Sequence, residues 1–242
     1  MTDEKFDKLL KEHKLFIDYG DDDGRMNLFS EDLRKIKLAG ANLEQAILLE
    51  VDLRWAELTG VNLRGANLRG SDLSNTDLRE VELAYSDLRG ANLSYANLEG
   101  KDLTNIEIDS AHLDDANMDG VKFPDGNAQN AALSRASLCR ANLAGADFHK
   151  AYACGADLID ANAESARFTD ADFSSVDFTN ANLRNADFEG ADLRNADFEG
   201  ADLRGANLRR TNLTGAKFDG AKLDDTNTEE AVYDEPDGDW TD

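Results

Sequence analysis

Residues 181–205 read ANLRN, ADFEG, ADLRN, ADFEG, ADLRG, five consecutive copies of one five-residue unit with an apolar side chain at its centre. Followed outward, the unit keeps its phase from Met26 to Asp225. That makes 40 quintets, of which 37 carry Leu, Phe, Ile or Met at the third position. The exceptions are Ala128, Ala153 and Ala163. Two residues before each centre lies a small or β-branched side chain, as at Ala41, Val61, Ala91 and Ala206. Met26, Glu31 and Lys101 break that rule.

A period of five fits neither the 3.6-residue repeat of a helix nor the 2.0-residue repeat of a strand. It fits a coil of four short sides that turns a corner every five residues. One large and one small side chain per side then point inward, and three positions face water. Stacked coils bury their apolar faces only against neighbouring coils. Ten coils at about 4.8 Å each form a rod of roughly 48 Å.

Quintets such as ANLRG, ADFEG, ADLRN and ANLSY resemble the A(D/N)LXX consensus of the pentapeptide-repeat family, and the resemblance covers residues 26–225. It implies an all-β solenoid, a right-handed quadrilateral β-helix of about ten coils. Periodicity alone leaves the hand open. In shape and acidity the chain is similar to the bacterial, quinolone-resistance and gyrase-modulating members.

Three segments are expected: an N-terminal helical cap (1–25), the repeat body (26–225) and an acidic C-terminal tail or cap (226–242). Phe6, Leu9, Leu10, His13, Phe16 and Ile17 recur at helical spacing, so an amphipathic capping helix is expected over about 3–19. In the tail, Val232, Tyr233 and Trp240 are candidates to fold back over the last coil. Pro124 removes a backbone donor, and Gly126 and Ala128 thin the core beside it, which makes 122–130 the expected bulge. Lys101 falls in an inward column between Val81 and Val121. A buried unpaired ammonium is costly, so it is expected to reach outward through a local distortion. All eight central phenylalanines lie at Phe123 or later, where they compensate for the small centres Ala153 and Ala163.

Catalytic chemistry is not legible. His13, His112 and His149 do not share a face on neighbouring coils, so they make no metal cluster. Cys139 and Cys154 are 15 residues apart, whereas stacked neighbours are 20 apart. No phosphate loop or metalloprotease motif occurs, and no cofactor is expected. No stretch approaches membrane-spanning length and the N-terminus lacks an apolar leader, so a cytoplasmic protein is expected.

Charge is the informative feature. The formal net charge is −24, which disfavours nucleic acid or an anionic membrane as a direct partner. Of this, −3 lies in 1–25, −7 in 226–242 and −14 on the quintets. One of the four sides holds −7, and the others hold −2, −3 and −2. Its acids are Glu57, Asp77, Glu80, Glu99, Asp119, Asp157, Asp160, Asp177, Asp197, Glu199 and Asp219, against Lys37, Arg79, Arg140 and Lys217. The rod carries about one charge per 3.4 Å, half the density of duplex DNA. Trp55 and Tyr95 share an outward column and are candidate contact residues, since Trp and Tyr are enriched at binding hot spots.

These features point to a non-catalytic scaffold presenting flat, partly acidic walls to a protein partner, as a monomer or end-to-end dimer. The family resemblance adds two more specific functions. One is a DNA-mimicking modulator of a type II topoisomerase, with a DNA-binding protein such as gyrase as partner. The other is a regulatory interaction factor of cyanobacterial type.

Overall fold

The computed structural model describes residues 3–20 and 24–233. Its organising element is the corner. The fifth residue of each described quintet, from Ser30 to Glu230, takes a positive φ between 53° and 73°, with one exception, Glu80. A left-handed residue after a short extended run bends the chain, which is why Gly, Asn, Asp and Ser crowd this position. Twenty residues return the chain to the same side. β1 (Asn27–Phe29) pairs in parallel with β2 (Ile47–Leu49), and single parallel rungs then repeat at i, i+20 as far as Asn212–Val232.

Each regular side makes the same bonds. In one example Leu143 N donates to Asn162 O (2.7 Å), Asn162 N to Ala141 O (2.9 Å) and Gly145 N to Glu164 O (2.9 Å). Ala146 N closes the corner on Leu143 O (3.0 Å). The Asp or Asn before the centre accepts the N–H two residues ahead, as when Ile159 N donates to Asp157 Oδ1 (3.1 Å). This Asx contact satisfies a corner donor and accounts for the polar second position of the repeat.

The large and small inward columns form one continuous apolar core. Its C-terminal half is a phenylalanine stack: Phe148, Phe168 and Phe188 overlap at 5.4 and 4.7 Å, and Phe178, Phe198 and Phe218 at 5.1 and 4.9 Å. Phe173 meets Phe148 edge-on at 6.3 Å across the small Ala153, the volume compensation expected of that pair.

Helix α1 (Asp3–Tyr19) packs against the first coil: Phe6 is buried, and Leu9 and Leu10 lie against the same core. His13 is fully buried, and its Nδ1 accepts a hydrogen bond from Met26 N (3.0 Å), so the ring must be neutral there. Its Nε2 has no hydrogen-bond partner among the described residues. Burial lowers its pKa, Arg25 acts in the same direction, and Glu44 only partly opposes them. With the folded pKa depressed, the unfolded chain binds the extra proton first. Stability is therefore intact above about pH 6.5 and is lost as pH falls below it. Ellipticity at 222 nm should fall on acidification from about pH 7 to 5. His13→Gln, which keeps an acceptor but does not titrate, should flatten that dependence; a native signal unchanged over this range would contradict the assignment.

Two expected irregularities are corrected. The segment 122–130 stays in the ladder, with rungs Asp102–Lys122, Lys122–Asn142, Glu107–Asn127 and Asn127–Asp147. Pro124 is tolerated because the fourth N–H of a quintet serves the Asx contact, not the ladder. The break lies instead at residues 77–82. Among the described residues the series from Asn27 to Val232 lacks two rungs, Glu57–Asp77 and Glu82–Asp102. Lys101 explains the second. Rather than reaching out to water, its Nζ donates to Val81 O (2.5 Å), the acceptor Asp102 N would otherwise use, and to Arg79 O (3.3 Å). Those bonds grip both sides of Glu80, whose corner is the one that departs from the left-handed conformation.

At the C-terminal end Val232 continues the ladder instead of folding back and is 59% exposed. Tyr233 lines a cavity of about 170 Å³ with Leu208, Leu213, Phe218 and Leu223. Trp240 lies outside the described residues.

Candidate functional site

The eleven acids of the enriched side divide by their place in the quintet. Glu57, Asp77, Asp157, Asp177 and Asp197 occupy the second position. Asp157, Asp177 and Asp197 are consecutive rung partners, so three carboxylates stack up one wall about 4.8 Å apart. Each also accepts a corner N–H, from Ile159, Thr179 and Glu199 respectively. Glu80, Glu99, Asp119, Asp160, Glu199 and Asp219 lie at or beside corners.

Some of these charges are neutralised. The Asp77 carboxylate meets the Arg79 guanidinium at 2.7 Å and is held below the usual carboxylate range by it. Lys217 does the same to Asp197 at 2.8 Å. Glu57 lies 3.9 Å from Lys37. Asp119 accepts from Ser137 Oγ (2.5 Å) and Cys139 N (3.2 Å) and lies 3.4 Å from Arg140. Seven acids, Glu80, Glu99, Asp157, Asp160, Asp177, Glu199 and Asp219, have no cation within ion-pair distance among the described residues. The other walls carry −2, −3 and −2 because they hold more bases per acid. Asp-x-Arg pairs close on themselves there at Asp32–Arg34, Asp52–Arg54, Asp87–Arg89, Asp192–Arg194 and Asp202–Arg204, as Asp77–Arg79 does on the acidic wall.

Cys139 shares the acidic wall, where burial first, then Asp157 and Asp119, raise its pKa to about 11. The thiol stays protonated and is a poor nucleophile. His149 Nδ1 is engaged by Thr169 Oγ1 (2.8 Å) and O (3.0 Å). No group of three or more His, Cys, Asp or Glu among the described residues is arranged to hold a metal, and no described helix is long and apolar enough to cross a membrane.

Trp55 and Tyr95 are 46% and 60% exposed. Both are left-handed fifth residues, with φ of 56° and 60°. The corner they occupy is the one at which the chain turns onto the acidic side, beginning at Ala56 and Ala96. The two sets of candidates therefore share one wall in its N-terminal half. The Arg54 guanidinium lies 5.6 Å from the Trp55 ring centre. The same half contains a feature the sequence did not reveal: a cleft of about 200 Å³ lined by Thr59, Asp77, Arg79 and Glu80, at the broken step of the ladder. The misplaced Lys101 was its one signal in the sequence.

Two family models match the chain: one described as "Pentapeptide repeats", over residues 32–65, 56–94, 86–123 and 191–227, and one described as "Pentapeptide repeat region", over 131–208. Among solved structures, the chain is similar to HetL, a pentapeptide repeat protein involved in heterocyst differentiation regulation from the cyanobacterium Nostoc sp. strain PCC 7120. The two are 31% identical over 90% of this chain and 94% of that one, with a TM-score of 0.51. It is also similar to QnrB1, a plasmid-mediated fluoroquinolone resistance protein, at 19% identity over 87% and 92% of the two chains, with a TM-score of 0.44. Rfr23 from the cyanobacterium Cyanothece 51142 is 28% identical over 51% and 91%, with a TM-score of 0.33. No curated protein matches. The family models and the likeness to HetL identify the solenoid as a right-handed quadrilateral β-helix.

Proposed function

Because the chain belongs to the pentapeptide-repeat family, we propose that it acts without catalysis, as a rod of about ten coils capped by α1 that binds a protein partner through its acidic wall. One observation carries this reading. This wall holds −7 of the −14 on the quintets, and seven of its carboxylates have no ion-pair partner among the described residues, with only Lys37, Arg79, Arg140 and Lys217 to offset its eleven acids. An uncompensated wall attracts a basic surface and steers its approach.

The stacked Asp157, Asp177 and Asp197 favour a more specific version, in which the wall takes the place of a DNA backbone on a type II topoisomerase. The test is gyrase supercoiling with the native chain and with Asp157, Asp160, Asp177 and Asp197 replaced by lysine. Modulation by the native chain and its loss in the variant would support the mimic. No effect of the native chain at about 10 μM, well above a micromolar Kd, would exclude it. Photo-crosslinkers placed at Asp177 and, on a second wall, at Asp192 test the broader reading. A partner cross-linked from Asp192 but not from Asp177 would overturn it.

A further inference from the structure

The broken step of the ladder does more than interrupt a regular wall. Among the described residues Leu58 N and Gly60 N make no backbone hydrogen bond there, and the Asp77 carbonyl accepts none. The gap coincides with the cleft lined by Thr59, Asp77, Arg79 and Glu80. Regular steps on the same wall, such as Asp157–Asp177, keep their bonds: Leu158 N to Asp177 O at 2.7 Å and Asp160 N to Thr179 O at 2.9 Å. Arg79 is bonded to Asp77 and also feels the charges of Glu99 and Glu80. Among the described residues the Glu80 carboxylate, the Thr59 hydroxyl and the Asp77 carbonyl accept no hydrogen bond. Glu99 adds a further unpaired charge from the next coil. The far edge of the wall carries Trp55 and Tyr95, roughly 10 Å away across three extended residues.

Resting on the acidic-wall reading above, we infer that this cleft is the seat for a basic side chain of the protein partner, an arginine or lysine flanked by the Trp55–Tyr95 corner. A guanidinium has five donors in a planar fork. The cleft offers it a carboxylate, a hydroxyl and a carbonyl, and the Tyr95 ring, 60% exposed, suits a second cation of the same segment. The acids of the C-terminal half lie on closed rungs. They contribute attraction but no seat.

Lys101 makes the inference testable against plain electrostatics. Its replacement by valine, the residue found in the same column at Val81 and Val121, frees the Val81 carbonyl for Asp102 N and releases the corner at Glu80. The cleft closes while the chain becomes one charge more negative. The probe is a fluorescein-labelled octa-arginine peptide, titrated with the full chain by fluorescence anisotropy at about 50 mM salt. Lys101→Val and Glu80→Gln should each weaken binding about fivefold, and Glu199→Gln, on a closed step, less than twofold. Equal or tighter binding by Lys101→Val overturns the inference, as does equal loss from Glu80→Gln and Glu199→Gln. If instead only lysine substitution at Asp157, Asp160, Asp177 and Asp197 abolishes binding, the acidic-wall reading stands and the seat does not. No binding by the native chain would sink both.

Discussion

Replacing Phe188 by alanine should lower the unfolding free energy by about 3–5 kcal/mol, a loss at the upper end for a single truncation. Phe188 is fully buried and is held on three sides by rings: stacked on Phe168 at 4.7 Å and edge-on to Phe178 and Phe198 at 5.9 and 6.4 Å. The regular backbone bonds of this region, such as Phe188 N to Asn207 O at 2.8 Å, hold the coils at a fixed spacing. The surrounding shell therefore cannot collapse into the void, and the cavity cost adds to the lost transfer energy. Denaturant unfolding would show the effect. Because each coil contacts only its neighbours, hydrogen exchange should accelerate chiefly within the coils next to 186–205. A loss below about 1 kcal/mol, or acceleration spread evenly along the chain, would mean that the ring stack is not the main support there.

Lys101→Val should act in the opposite direction, raising the unfolding free energy by about 1–2 kcal/mol. The native lysine contributes two hydrogen bonds to carbonyls, but those carbonyls lose ladder partners, and Asp102 N, Leu83 N and Glu80 N make no backbone bonds among the described residues. Valine fills the column as Val81 and Val121 do, both fully buried. It needs no hydrogen bond, and it loses less side-chain entropy than lysine on ordering. The melting temperature should rise by about 2–6 °C, and the Asp102 amide should become protected from exchange. A lower melting temperature would show that the ammonium stabilises its site more than the rungs it displaces. A gain in stability with a loss of peptide binding would identify Lys101 as a residue that trades stability for a function.

How far the sequence revealed this molecule depended on the range of the cause. The solenoid is legible because its determinants are local: each quintet carries its own centre, small partner, Asx residue and corner. The acids of the enriched wall could likewise be named from the 20-residue phase. Which of them stay uncompensated was harder to read, because neutralisation depends on a guanidinium folding back over a corner, as Arg79 does onto Asp77. The Asp-x-Arg spacing was a usable signal for it. The cleft was not legible at its own position. The quintet TDLRE (76–80) conforms to the repeat, and its distortion is imposed by Lys101, 21 residues later in the chain. Pro124 misled for the converse reason: a disruptive residue falls where the repeat makes no ladder demand. Val232 misled because an apolar residue near a chain end suggests a cap, whereas its N–H donates to Thr211 O at 2.9 Å in the next rung.

The corner at every fifth residue also governs how such a rod can change length over evolutionary time. Duplicating the genetic text for one quintet would rotate everything downstream by a quarter turn, carrying Asp157, Asp177 and Asp197 onto a different wall from Glu80 and Glu99. Duplicating four quintets together would lengthen the rod by one storey with every wall unbroken. Near-repetitive text such as ADFEGADLRN at 186–195 invites slippage in steps of ten as well as twenty. Only the twenty-residue step would leave Asp157, Asp177 and Asp197 on the wall that carries Glu80 and Glu99.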